Sequence, residues 1–261
     1  MASSMAAMGD DAELAEAFHR DGFARATAAT TAGDLAHLAG LLDGVYGRAE
    51  TIPAELVHRF SLTGTADSDA STSLEILETL RIEPALATTA IYQRCQRLAG
   101  LVLGCQPELF FDHAIRKPAA IGTGTPWHQD IIYDRYEPDR DRVHFWIPTG
   151  AVELDGGCME FIPRSHLAAL VRHEVSDADP TGHARVARGV PESELVAVPV
   201  SAGEMTVHHQ RTLHRTGPNA SNAHRTAWIL QFAGPRTPRE RALETARRAN
   251  RLGRRLLARK R

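Results

Sequence analysis

After Gly104 the chain changes texture: the helical spacing of apolar residues gives way to short runs rich in β-branched and aromatic side chains. LFFDHAI (109–115), VHFWI (143–147), CMEFI (158–162), LVAVPV (195–200), EMTV (204–207) and TAWILQFA (226–233) are separated by Gly, Pro, Asp and Asn turns. Parallel strands need long crossover connections, usually helical, and no helical pattern lies between these runs. The spacing therefore predicts a mainly β chain with N-terminal helices, its strands antiparallel in a barrel or jelly roll.

The helical layer is read from periodicity. A first helix is expected from about Asp10 or Asp11, with Leu14 and Phe18 on one face and Asp21-Gly22 as its stop. A second spans about 33–45 through Leu35, Leu38, Leu42 and Val45. Pro84 suits the first turn of a third, whose stripe takes in Leu86, Ile91, Cys95, Leu98 and Val102. Residues 1–9 read as a disordered terminus, and 61–73, rich in Ser, Thr, Gly and Asp, as a surface segment able to cover a pocket.

With 261 residues, 43% of them hydrophobic, the chain can bury one large core, so a single domain over 1–261 is expected. No apolar run reaches the roughly 18 residues of a membrane span, and no basic patch followed by an apolar stretch opens the chain, which predicts a soluble, cytoplasmic protein. Cys95, Cys105 and Cys158 are odd in number and form no CxxC pair, which argues against a disulfide framework or zinc knuckle. Residues 236–261 carry eleven Arg or Lys against Glu240 and Glu244, leaving 19 basic and 30 acidic residues before them, a body of about −11. Leu243, Ala246, Leu252, Leu256 and Leu257 near helical spacing make this tail an amphipathic basic helix. No aromatic residues interleave with its charges, so no nucleic-acid partner is expected.

The tripeptide His128-Gln129-Asp130 carries the chemistry. On an extended segment residues i and i+2 share a side, so the imidazole and the carboxylate can grip one ion. His214, 84 residues beyond Asp130, can be returned to that pair by a neighbouring strand. Two imidazoles and a carboxylate on one face of an octahedron leave positions open for a chelating co-substrate and O2, the arrangement of non-haem Fe(II) oxygenases. Catalytic zinc sites use similar ligands, so the metal stays open at this level. His209 is a rival third ligand, or orients a carboxylate from behind. Arg225, eleven residues after His214, opens the last strand and can clamp a distal carboxylate with two parallel hydrogen bonds, to which Thr216 can add a hydroxyl. Tyr133, Asp134, Arg135 and Tyr136 form a loop at the expected site mouth. Trp127 and Trp228 read as packing residues.

Taken in order, FHRDGF (18–23), RKP (116–118), WHQDIIY (127–133), DGGCMEFIPRSH (155–166) and AGEMTVHHQRTLHRTGPNASNAHR (202–225) resemble the phytanoyl-CoA dioxygenase family of iron(II)/2-oxoglutarate oxygenases. The resemblance implies a double-stranded β-helix, the cupin-like jelly roll, in which His128, Asp130 and His214 hold iron and Arg225 binds the 2-oxoglutarate C5 carboxylate. It implies that Trp146 lines the co-substrate pocket and that Lys117 lies near it. Fe(II), 2-oxoglutarate and O2 would then be consumed to oxidise an unactivated C–H bond of a small-molecule substrate, usually by hydroxylation, with release of succinate and CO2. Desaturation, cyclisation or epimerisation would use the same ligands. Glu204 stands where the family usually has Asp, His208 where it is usually aromatic, and Arg164 where its turn usually has Gly. Arg164, Arg135 and His209 are accordingly candidate substrate contacts beside Tyr133. A CoA thioester would need basic contacts, for which Arg116, Arg135 and Arg164 are available. The high Ala and Arg content suits a high-GC bacterial gene and a secondary-metabolite intermediate as substrate. A zinc-binding or non-catalytic cupin-like protein is the alternative class.

Overall fold

The computed structural model of the chain describes residues 2–26, 31–60, 73–120, 124–133, 140–176 and 185–236. Helix α1 (Ala2–Asp21) leads into strand β1 (Phe23–Ala26), and α2 (Ala32–Gly47) is followed by the hairpin β2 (Val57–Phe60) and β3 (Ser73–Leu77). The one-turn α3 (Thr79–Ile82) and α4 (Ala90–Leu103) complete the helical part. Then come β4 (Glu108–Lys117), β5 (Thr125–His128), β6 (Arg142–Pro148), β7 (Met159–Phe161), β8 (His173–Val175), β9 (Arg185–Ala187), β10 (Val196–Val198), β11 (Met205–His209), β12 (His214–Thr216) and β13 (Arg225–Ala233).

Two helix starts differ from expectation. The first helix begins at Ala2, upstream of the expected start at Asp10 or Asp11 and across residues read as a disordered terminus. Pro84 opens a 3-10 turn over Pro84–Thr88 instead of α4, because Thr89 accepts a hydrogen bond from the Tyr92 amide and caps the helix there. Gly104, at φ +62°, ends it. Of the 61–73 segment, Ser73 belongs to β3 and is buried, and the rest lies outside the described residues. The expected C-terminal helix lies outside them beyond Arg236, as do Asp134, Arg135 and Tyr136.

The strands form a seven-stranded antiparallel sheet in the order β1-β11-β6-β13-β4-β3-β2 and a four-stranded sheet in the order β10-β7-β12-β5. The six runs read from sequence all became strands, and the two sheets face one another as a jelly roll. The outer face of the large sheet packs Val143, Phe145, Val207, Trp228, Leu230 and Phe232 against Phe18, Leu38, Leu42, Ile91 and Leu98 of the helices. Between the sheets a smaller cluster joins Trp146, Ala227 and Ile229 to Met159 and Phe161. Phe23 stacks on Phe161 at 4.4 Å and 8°, which ties the large sheet to the small one beside the site. No helix among the described residues is long and apolar enough to cross a membrane.

Candidate metal centre

β12 runs between β5 and β7, and its register makes His214 the direct cross-strand partner of His128. Paired side chains on one face of a sheet are adjacent; here the two rings lie 4.1 Å apart. Asp130 reaches the same point differently from expectation. β5 ends at His128, and Asp130 opens a 3-10 turn (Asp130–Tyr133), so a turn and not an extended i, i+2 pair brings the carboxylate round. Asp130 Oδ1 lies 3.2 Å from His128 Nε2, and Oδ2 lies 3.6 Å from His214 Nε2.

The far nitrogens fix both rings. Nδ1 of His128 donates to the Pro126 carbonyl and Nδ1 of His214 to the Thr212 carbonyl, each at 2.8 Å, which leaves Nε2 of both as a lone-pair donor toward the carboxylate. Burial, reinforced by His128, pushes the His214 imidazole well below its ordinary pKa, favouring the neutral form a metal needs. Burial alone would raise the Asp130 carboxyl, but His214, His144 and His128 outweigh it and hold it well below the usual carboxylate range. Gln129, fully buried between His128 and Asp130, donates to the Arg211 carbonyl and accepts from the Val171 amide, while its own amide donates to His173 Nε2. The tripeptide is thus anchored on three sides.

The opposite wall is the inner face of the large sheet. Arg225 and Lys117 are register partners on β13 and β4, and both are buried. Lys117 Nζ donates to Thr216 Oγ1 at 2.8 Å and to Thr125 Oγ1 at 3.1 Å. Arg225 Nη1 donates to the Gly157 carbonyl, its guanidinium sits 5.4 Å from the Trp146 ring centroid, and its Nε has no partner among the described residues. Burial lowers the Arg225 guanidinium to about 10, and burial with the Arg225 charge pulls Lys117 well below its ordinary value. Among the described residues no carboxylate pairs with either. Two buried cations without an anion are costly unless a ligand supplies one. Gly157, at φ +74°, is required here: a Cβ would stand 2.4 Å from the Gly217 carbonyl oxygen.

Two expected contacts are corrected. His209 is not at this site: β11 alternates, so His208 faces the carboxylate and His209 faces the helices, near Phe18 and His166. Burial there lowers its pKa to about 3. Arg164 is exposed, and its φ of +62° shows it adopting the left-handed turn that glycine would take, not aiming a cation inward. Tyr133 is at the mouth, 43% exposed, its ring edge-on to His128 with centroids 6.0 Å apart and its hydroxyl accepting from the Arg185 amide. Sequence reasoning missed His144 and His208, both against Asp130, and the cluster in which Glu75 meets His113 at 2.5 Å and His58 at 3.4 Å. The spacing of His144 two residues before Trp146 was the available signal.

The family profile described as phytanoyl-CoA dioxygenase (PhyH) matches residues 18–227, most of the chain and every residue of the site. The chain belongs to the phytanoyl-CoA dioxygenase family. That family is one of 2-oxoglutarate-dependent non-haem iron dioxygenases, which use Fe(II), 2-oxoglutarate and O2. Among curated relatives of this PhyH chain is a "Probable alpha-ketoglutarate-dependent hypophosphite dioxygenase" of Stutzerimonas stutzeri, 30% identical over 118 residues, 43% of this chain and 40% of that protein. The chain therefore spans less than half the length of that relative. The solved structure of EvdO2 from Micromonospora carbonacea var. aurantiaca, complexed with 2-oxoglutarate, superposes with a TM-score of 0.71 at 25% identity, over 85% of this chain and 90% of its own. The epimerase SnoN, in complex with Fe3+, alpha ketoglutarate and nogalamycin RO, shares the fold at a TM-score of 0.67 and 21% identity, over 87% of this chain and 84% of its own.

Proposed function

We propose that this chain couples oxidative decarboxylation of 2-oxoglutarate to oxidation, chiefly hydroxylation, of a C–H bond in a small polar organic molecule, a secondary-metabolite intermediate. One observation carries the reading. The His128–His214 cross-strand pair closes on Asp130 on one wall, and two buried basic side chains, with no carboxylate partner among the described residues, face it from the other. The donor set fits the cofactors. His128 Nε2, Asp130 and His214 Nε2 would hold Fe(II), which leaves coordination positions for a chelating keto acid and O2. Arg225 would bind the distal carboxylate of 2-oxoglutarate, with Thr216 and Lys117 completing a cationic, hydroxylated end to the pocket. Trp146 packs against the guanidinium and would shut water out of that ion pair. When bound, the iron supplies the oxidising power; the chain supplies orientation and exclusion of solvent.

Substrate polarity is supported by the wall beyond Lys117. By register, Glu75 on β3 and His113 on β4 share the inner face with Lys117, so that wall is ionic and unsuited to a bare acyl chain. A CoA thioester is disfavoured for the same chain: Arg116 turns to the helical side, where it pairs with Asp43 and lies 4.0 Å over the Tyr46 ring. The epimerase among the structural neighbours keeps epimerisation as a second outcome with the same cofactors.

Metal analysis combined with succinate release from 2-oxoglutarate tests the class. One Fe(II) bound per chain, with O2-dependent succinate, is expected. A protein that takes zinc and forms no succinate under any condition would instead be a cupin-like binding protein.

A further inference from the structure

Asp130 has more imidazole around it than a three-ligand site requires. Oδ2 lies 2.7 Å from His144 Nδ1 and 3.2 Å from His208 Nε2, while Oδ1 is turned to His128. His144 and His208 are cross-strand partners on β6 and β11, only 1% and 3% exposed, with ring centroids 5.3 Å apart. His208 Nε2 makes the hydrogen bond of good geometry to the carboxylate, and its Nδ1 has no partner, so the proton of that ring sits on Nε2. The His144 contact is short, but neither of its nitrogens is well aligned for a hydrogen bond. The His208 ring also lies 4.4 Å from the His214 ring and 5.6 Å from that of Phe161.

An ion bound monodentately by a carboxylate leaves the second oxygen free to swing in as another ligand unless something holds it. We propose that His208, backed by His144, is a positioning residue of the metal centre: it donates to Asp130 Oδ2, keeps one oxygen for the ion, and braces the His214 ring. This rests on the reading of His128, Asp130 and His214 as ligands. The physical basis is that groups hydrogen-bonded to a ligand set its orientation and basicity, and their loss costs roughly 10- to 100-fold in metal affinity. The set Asp130, His144 and His208 also has ligand spacing, its donor atoms lying within 4.8 Å of one another. A second divalent ion there would share a single carboxylate with the first. That charge balance favours hydrogen bonding over a second ion.

The test is Co(II) titration of the full chain, read by the ligand-field spectrum and by bound metal per chain. His208→Phe keeps the ring volume and removes the donor; His208→Gln restores a donor. We expect one Co(II) per wild-type chain, affinity weakened about 10-fold or more with an altered spectrum in His208→Phe, and recovery to within about threefold in His208→Gln. His208→Met repeats the donor deletion should His208→Phe fail to fold, with thermal melting as the check. Unchanged affinity and spectrum on donor deletion overturn the proposal. So do two ions per wild-type chain with one lost in the variant, which would make His208 a ligand of a second site. His214→Ala separates the underlying reading: if it binds Co(II) like the wild type, the ligand assignment itself is wrong, whatever His208 does.

Discussion

The two faces of the large sheet obey different physics, and β13 shows both in one strand. Trp228, Leu230 and Phe232 point outward to the helices and are fully buried among apolar side chains, whereas Arg225 on the inward side is buried beside Lys117 with no carboxylate among the described residues. The outward face gains free energy from water exclusion, on the order of 25 cal/mol per Å² of apolar surface. The inward face gives some of it back by burying cations that have polar partners but no carboxylate among the described residues. Stability and function are thus written on alternate residues of the same strands, and substitutions should separate them.

The sharpest break is expected on β11 and β12, where one face carries the proposed metal site and the other meets the helices. His214→Ala should lose measurable iron binding and all turnover, while His209→Ala, on the helical face, should keep iron occupancy, as metal analysis after anaerobic loading will show. The reverse result would move the site to the other side of the sheet.

Trp228→Ala empties a site on the outward face, and its indole also donates to Thr79 Oγ1 at 2.9 Å. Large-to-small core changes of this kind cost about 3–5 kcal/mol. Denaturant melts should record that loss, with the KM for 2-oxoglutarate unchanged in the folded fraction. A shifted KM would mean that the two faces are coupled.

Arg225→Ala belongs to the inward face and should do the opposite. Losing a buried, charge-assisted pair costs on the order of 2–5 kcal/mol, roughly 30-fold to several thousand-fold in 2-oxoglutarate requirement. Iron affinity should change little. An unchanged co-substrate KM in steady-state assays would remove Arg225 from the pocket.

Lys117→Met should give the smallest effect and the most diagnostic sign. Replacing a buried amine that has two threonine hydroxyls as partners and no carboxylate among the described residues by an apolar chain of similar length should raise stability, by about 1 kcal/mol, while weakening 2-oxoglutarate binding. A variant that loses both would show that Lys117 is a structural residue.

Much of this centre was legible before any fold was known. The HQD tripeptide and the eleven-residue interval from His214 to Arg225 are local patterns, and the β-rich runs after Gly104 have the period that sheets impose. What was misjudged depended on partners distant in the chain. Asp130 was placed on an extended segment, but the fold breaks β5 at His128 and turns the carboxylate in from a 3-10 turn. His144 and His208 become neighbours of Asp130 only because β6 and β11 pair beneath it. Glu75, His58 and His113 meet through the β2-β3-β4 register, which no short-range signal announces.

By itself, then, the sequence determined the residue types able to hold a metal and a dicarboxylate, the order in which they occur, and an antiparallel β architecture with helices before it. Tertiary structure alone decided which histidine faces which way. In a strand, neighbours point to opposite sides, so the parity of one residue separates His208 from His209. That parity is set by which side of the sheet the helices cover, a burial contest fought by Phe18, Leu38, Ile91 and Leu98 far upstream. Local spacing can propose the ligands, but only the packing of the helices onto the sheet chooses among them.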